Sequence, residues 1–561
     1  MNVKSQSRSL VLLMGAAVAL SGCSKKLGQM QAEYFTTNPN PLEVVGQKVP
    51  ATITARIPAK YFAKNAELTV TPYLTYAGGE TASTAYTFQG EKVRGNNPVV
   101  NYEQGATVTI PVSYLYDPAM ATSQLELAFN VQQGKKTYVL PRVAVANGVI
   151  ATAAMANAGT VTPAIAADKF QRIIQDKVDA DILFLINQAN IRDNQLRTGQ
   201  MTGLQDRIKS ANADARQEIE EINIQSYASP DGSYDFNKKL AQKREDVTKG
   251  YMDKQLKGVS FGQLTADFTP EDWEGFRRLV SESNIQDKNL ILSVLSMYSD
   301  PEEREREIHN LSSVFEQLAE EILPKLRYSR ISAKINVIGK SDDEIAAAYA
   351  SNPSSLSVDE ILYYAALTDN AEKRAQIYST AAELYPTDYR TFNNLGMAQY
   401  QLGDYDAARS SFNQAARLAP ASAEPQMNLG LAALNSGNFS DAQSRFGNAA
   451  GVPELSEALG VYYLKQGDNA AAARAMQGVS SNNAALAQIL TKDYSAAKKT
   501  LAAIQAPDAT TYYLMAVLGA RTNNESMLAN SLRQAVKLDP SMAAKAAGDL
   551  EFKRFNLSTV L

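Results

Sequence analysis

Residues 395–420 read LGMAQYQLGDYDAARSSFNQAARLAP, and residues 429–450 answer with LGLAALNSGNFSDAQSRFGNAA. The two segments align at an offset of 34: Leu395-Gly396 with Leu429-Gly430, Ala408 with Ala442, Phe412 with Phe446, and Ala415 with Ala449. The same period links Pro386 to Pro420, Tyr378 to Phe412 and Ile361 to Leu395. A fixed period of this size marks a solenoid of helix pairs, in which each unit buries its apolar face only against its neighbours. Small Ala and Gly residues let the two helices of a pair approach, and the aromatics fill the gap to the next pair. Weaker units follow. Leu459-Gly460 comes 30 residues after Leu429-Gly430, and residues 485–505 and 510–540 complete about six pairs. Residues 542–561 are expected to cap the last face.

This spacing resembles the tetratricopeptide repeat, and the resemblance covers about residues 355–541. It implies an all-α solenoid over 342–561 with a concave groove that takes protein or peptide partners. For this chain the expected partners are outer-membrane or secretion and assembly proteins.

Upstream, residues 222–252 read INIQSYASPDGSYDFNKKLAQKREDVTKGYM. Ile222 to Tyr227 alternates as a strand, Ser229-Pro230-Asp231-Gly232 is a turn, and a helix is predicted from about 235 to 256. Phe236, Leu240, Val247 and Tyr251 fall on one face at helical spacing, with Arg244 between them. A guanidinium on an apolar stripe needs an anionic or carbonyl partner, supplied by the protein or by a ligand. Further strands are predicted at 182–186 and 331–338, and a helix at 204–219. Strands and helices in this order give an α/β domain at 168–341.

The turn ending in Gly232-Ser233, followed by Asn237, Leu240, Arg244 and Val247, resembles the OmpA-like peptidoglycan-binding domain of bacterial envelope proteins; the SPDG form is similar to that of Bacteroidetes. The resemblance implies that Arg244 receives a stem-peptide carboxylate, with Asn237 beside it. The acid that would pair the ligand's amino group aligns with Ser229, and Asp231 is the residue placed to substitute for it. Residues 257–326 form an insertion longer than the family's connection, carrying the single tryptophan, Trp273, and two helical stretches.

Between 49 and 150 short alternating runs are separated by Gly, Asn and Pro turns, which predicts an all-β sandwich. Residues 151–167, rich in Ala, Thr and Pro, read as a linker. At the start, Lys4 and Arg8 precede an apolar run at 10–20 and then Leu20-Ser21-Gly22-Cys23. That is a signal-peptide layout over 1–22, too short for a permanent span of about 20 apolar residues. Leu-Ser-Gly-Cys resembles a lipobox, which implies lipidation of Cys23 and a tether at 24–48. Ser24-Lys25-Lys26 is basic where surface-exported lipoproteins of Bacteroidetes tend to be acidic, so the resemblance implies a periplasm-facing position at the outer membrane.

The composition excludes several functions. One histidine, His309, and one cysteine, Cys23, leave no set for a Cys/His zinc site, and no metal or other cofactor is expected. No G-x-S-x-G, Walker-type or G-x-G-x-x-G motif occurs, so no enzyme is expected. A net charge of −4 gives no pull toward nucleic acid. The sequence therefore predicts a multidomain, non-enzymatic lipoprotein scaffold. The alternative is a component of a cell-surface or fimbria-like assembly whose OmpA-like domain has lost wall binding.

Overall fold

The computed structural model describes residues 28–560 apart from 286 and 311. The signal segment 1–22 and Cys23 lie outside the described residues. The chain divides into two compact units: residues 168–368, and an outer unit in which 28–167 and 369–560 fold together.

In the central unit, a mixed sheet runs in the order Ile173–Leu183, Tyr328–Ile338, Gln217–Tyr227, Gln263–Thr269. The first two pairings are antiparallel and the last is parallel. Parallel neighbours need a crossover, and helix Tyr234–Gln255 supplies it. Helix Gly199–Ala213 links the edge strand to Gln217–Tyr227, and both helices pack on a core that includes Leu204, Ile224, Met252 and Ile335. Three expectations are corrected. The helix drawn over 204–219 ends at Ala213, because Gln217 to Tyr227 joins the sheet. The edge strand begins at Ile173 rather than 182. The insertion drawn over 257–326 begins with a sheet strand, Gln263–Thr269, and its helical part holds four helices rather than two. These are Trp273–Glu282, Lys288–Met297, Pro301–Asn310 and Ser312–Glu321, with their own core around Phe276, Ile291, Leu295 and Leu318. Helices Asp342–Ser351 and Val358–Ala366 complete this unit, each opened by a reciprocal Ser/Glu capping box.

The outer unit begins with two sheets around one core. One is Phe35–Asn38, Lys48–Ile57 and Ala106–Leu115; the other is built on Ala66–Tyr76, Ser123–Gln133 and Lys136–Asn147. Inward positions alternate along Ala66–Tyr76, from Ala66 through Leu68 and Val70 to Leu74, as a sheet with one buried face requires. The segment read as a tether up to residue 48 is corrected in part. Phe35–Asn38 pairs with Lys48–Ile57, Leu42–Glu43 pairs with Val149–Ile150, and Leu42 is fully buried.

The same unit continues with helix Ala371–Leu384 and then helix pairs. These are Tyr389–Gln401 with Tyr405–Leu418, Ala423–Asn435 with Phe439–Gly447, Leu455–Gln466 with Asn469–Ala475, Asn482–Leu490 with Tyr494–Ala503, and Ala509–Arg521 with Glu525–Leu538. Ser541–Gly548 follows. The Leu-Gly motif has a steric cause. A β-carbon on Gly396 would lie 2.7 Å from the Phe412 ring, and one on Gly430 would lie 2.6 Å from the Phe446 ring. At Gly519 it would meet backbone, 2.7 Å from Leu528 N. Gly519→Ala should therefore cost about 1–3 kcal/mol, because main chain cannot swing aside as a side chain can. Chemical denaturation of the full chain checks this, and an unchanged midpoint would refute it.

Strand-rich and helical parts share a seam. Thr152 donates to the Glu551 carboxylate, which also receives Arg521, and Ala156 belongs to the core of the last repeats. Among the described residues no helix is long and apolar enough to cross a membrane.

Candidate functional site

Two places carry the residues singled out from the sequence. The first is the turn before helix Tyr234–Gln255. The inward face of that helix is Asn237, Leu240, Ala241, Arg244, Thr248 and Met252. The predicted stripe is thus rotated. Leu240 and Arg244 are inside, but Phe236 and Val247 are exposed. Positions 237, 241, 244, 248 and 252 repeat at three and four, and they carry polar groups that the apolar count passed over.

Arg244 is completely buried. It donates from Nε to Gln188 O at 3.0 Å, from Nη1 to Tyr227 O at 2.8 Å and from Nη2 to Leu185 O at 3.3 Å. Its guanidinium sits over the Phe184 ring, 5.1 Å from the centroid. Burial, reinforced by the nearby Arg327 charge, lowers its pKa to about 10, so it stays charged at neutral pH. The partner that the sequence demanded is main-chain carbonyl.

Ser229 and Asp231 face Arg327, a residue not singled out from the sequence. Arg327 donates from Nη2 to Asp231 Oδ2 at 2.8 Å and from Nε to Ser229 Oγ at 3.1 Å. Ser229 Oγ in turn donates to Asp231 Oδ1 at 2.6 Å. Asn237 donates from Nδ2 to Gly232 O at 2.7 Å and to Glu271 Oε1 at 3.1 Å. Glu271 also accepts from Trp273 Nε1 at 2.9 Å. The four predicted residues are therefore brought to one place, but Ser229, Asn237, Arg244 and Arg327 are all buried and bonded to the protein.

Acid is concentrated beside this turn. Burial raises the Glu271 pKa, and the charges of Glu302 and Asp231 add to that rise. Burial also raises Glu305, with Glu271, Asp231 and Glu302 as neighbours of like charge. A carboxyl raised by the fold contributes stability that is full below its ordinary unfolded pKa and is lost as pH climbs through the raised folded value. Glu305→Gln, which mimics the protonated form, should be more stable than the wild type at pH 7–8. The gap should close toward pH 4. Melting curves across that range check it, and a pH-independent difference would refute the cause.

The second place is the inner face of the helix pairs. Residues 157–167, read as part of a linker, instead run along the inner face of the helix pairs: Asn157 leads into a short 3-10 turn, Ala158–Thr160, and residues 161–167 continue as an unpaired strand-like segment. Three asparagines each grip one residue of 157–167 by both its amide and its carbonyl. Asn394 accepts from Ala166 N at 2.8 Å and donates to Ala166 O at 2.9 Å. Asn428 accepts from Ala164 N at 2.7 Å and donates to Ala164 O at 2.8 Å. Asn483 does the same to Asn157, at 3.0 and 3.1 Å. Asn393 adds a bond to Ala164 O, Tyr400 one to Ala158 O and Arg390 one to Ala167 O. The strand explains why every residue from Pro425 to Leu434 is buried. One side of that helix packs on its neighbours, and the strand covers another. No sequence rule flags asparagines on a helix face. The visible signal was the apolar composition of 161–167, VTPAIAA, which a solvated linker would not carry.

Segments 358–423, 393–453 and 427–485 match the tetratricopeptide repeat family. Residues 358–485 carry tetratricopeptide repeats. Solved structures give low similarity. A chain of the APC/C hetero-tetramer Cut9–Hcn1 is 19% identical over 36% of this protein and 43% of that chain, with a TM-score of 0.32. This protein thus spans under half of that relative's length. A tetratricopeptide repeat protein from Parabacteroides merdae is 13% identical over 37% and 91% of the two chains, with a TM-score of 0.30. PilF of Pseudomonas aeruginosa is 18% identical over 38% and 98%, with a TM-score of 0.29. A search of curated proteins finds no match.

Within the repeats the amides of Asn394, Asn428 and Asn483 form a row whose donors and acceptors are all engaged by main chain of the protein's own segment. His309 lies in the insertion with its ring against Phe315, centroids 3.9 Å apart. Among the described residues no group of three His, Cys, Asp or Glu side chains is placed to hold a metal ion.

Proposed function

We propose that this protein is a non-catalytic envelope scaffold, lipid-anchored through Cys23 at the outer membrane and facing the periplasm, which docks protein partners on its tetratricopeptide array. The observation that carries the reading is the row Asn394, Asn428 and Asn483, a surface built to hold extended peptide backbone. In-cell crosslinking of the intact chain, followed by identification of the captured proteins, tests it. Turnover of labelled peptidoglycan by the purified chain would overturn it in favour of an enzyme. Membrane attachment should rest on Cys23 alone, because a lipid is then the single strong membrane contact. Cys23→Ala should move the protein to the soluble fraction. A variant that still pellets after a high-salt wash would refute the anchor.

The sheet order and crossover helix of the central unit support an OmpA-like reading of that domain. One observation favours the form that has given up the wall: Asp231 is ion-paired to Arg327, and the Arg244 fork is filled by carbonyls. The full chain should stay in solution when insoluble peptidoglycan is sedimented. Co-sedimentation of the wild type would restore Arg244, Asn237, Ser229 and Asp231 as a wall-binding set.

A further inference from the structure

The groove of the repeats holds the chain's own strand, and the way it is held says what else could enter. All six asparagine bonds at Asn157, Ala164 and Ala166 go to main-chain amides and carbonyls. Such bonds carry no side-chain information, so a foreign extended segment in the same register would make the same four bonds at the Ala164 and Ala166 positions, while the two at Asn157 precede the turn Ala158–Thr160. What the groove does select is size and charge. Ala164 and Ala166 are 1% and 0% exposed, so those positions admit little more than a methyl group. Ile165 between them is 46% exposed and faces out, as alternation along a strand requires. From Val143 to Ala167 there is no charged residue.

We propose that residues 157–167 are an internal ligand that gates the repeat groove, and that the partner segment admitted on their release is an extended, uncharged peptide of the pattern small-x-small. This rests on the reading of the array as a protein-docking surface and adds its regulation. The internal strand is tethered, so its effective concentration is on the order of millimolar. A free peptide of equal intrinsic affinity therefore loses the competition until the strand is pulled out or outcompeted by a tighter partner.

The test uses the full chain and a fluorescein-labelled synthetic peptide of residues 156–167, followed by anisotropy. Wild-type protein should not bind the probe at micromolar concentration. The double variant Ala164→Glu, Ala166→Glu, which places two carboxylates against closed methyl-sized positions, should eject the strand and bind it. Adding Asn394→Ala and Asn428→Ala to that opened chain should weaken binding by about tenfold or more, through loss of four neutral hydrogen bonds. Equal binding by wild type and opened chain would overturn the gate. Failure of a folded opened chain to bind would overturn the peptide site. Hydrogen exchange on the wild type covers the case in which the opened chain does not fold. The Ala164 and Ala166 amides should exchange through local opening, faster than the buried amides of helix Ala423–Asn435. Exchange only on global unfolding would make the strand a permanent core element and refute the proposal. Partners crosslinked in cells through other faces would leave the scaffold reading standing in either event.

Discussion

Arg244→Ala should lower the stability of the central unit by about 3–5 kcal/mol and its melting temperature by roughly 10 °C, the largest single-residue loss expected in that domain. The substitution removes a fully buried side chain, empties the space over the Phe184 ring and takes from the Tyr227 carbonyl the donor that the helix supplies, along with the bonds to the carbonyls of the exposed residues Leu185 and Gln188. Two of those carbonyls belong to the segment after the edge strand and one to the end of Gln217–Tyr227, so the fork ties a loop to the sheet. Arg244→Lys keeps the charge but not the planar fork. It should fall between the two, since an ammonium cannot aim at three carbonyls fixed for a guanidinium. Calorimetry of the full chain reads both. A melting curve unchanged in Arg244→Ala would mean that the carbonyls find other partners, and would reopen the residue as a ligand group.

The second large effect belongs to the seam of the outer unit. Glu551 is buried and receives both Arg521 and the Thr152 hydroxyl. Glu551→Ala leaves the Arg521 guanidinium without its carboxylate in a site only 18% exposed, a loss worth about 3–5 kcal/mol. The damage should reach beyond the last repeats, because Thr152 begins the short helical turn Thr152–Met155 that leads into the groove strand. Amide exchange at 152–156 should accelerate in the variant together with that of helix Ala509–Arg521. Protection lost in the helix alone would show that the strand-rich part is held by its apolar contacts and does not need the ion pair. The same seam predicts that cutting the chain at residue 355 would destabilise the strand-rich part, which would lose the surface it is packed on.

How much was legible follows from which interactions are local. The repeats announced themselves because a 34-residue period repeats one steric problem at two successive pairs, Gly396 against Phe412 and Gly430 against Phe446. The sheet of the central unit was legible through alternation in Ile222 to Tyr227, while the ends of its elements were not. Gly199–Ala213 stops where strand pairing wins, a competition settled by residues more than a hundred positions away. Arg244, Ser229, Asp231 and Asn237 were found together because they lie within 16 positions of one another. Arg327, which holds Ser229 and Asp231, lies 96 residues beyond Asp231, and Glu271, which holds Asn237, lies 34 residues beyond it; neither carries a local pattern. The linker was misread for the same reason. Ala164 and Asn428 are 264 positions apart, and nothing in VTPAIAA names the asparagine that will hold it.

That separation also sets an order of events during synthesis. At roughly 5–20 residues per second, Asn428 leaves the ribosome on the order of 15–50 seconds after Ala164. Throughout that interval the strand-rich part and its uncharged tail exist without the helices that cover them, while the whole of residues 168–368 is being made in between. The surface that the repeats will cover is therefore the last part of the outer unit to be buried, and that unit is completed only when the final third of the chain has been made.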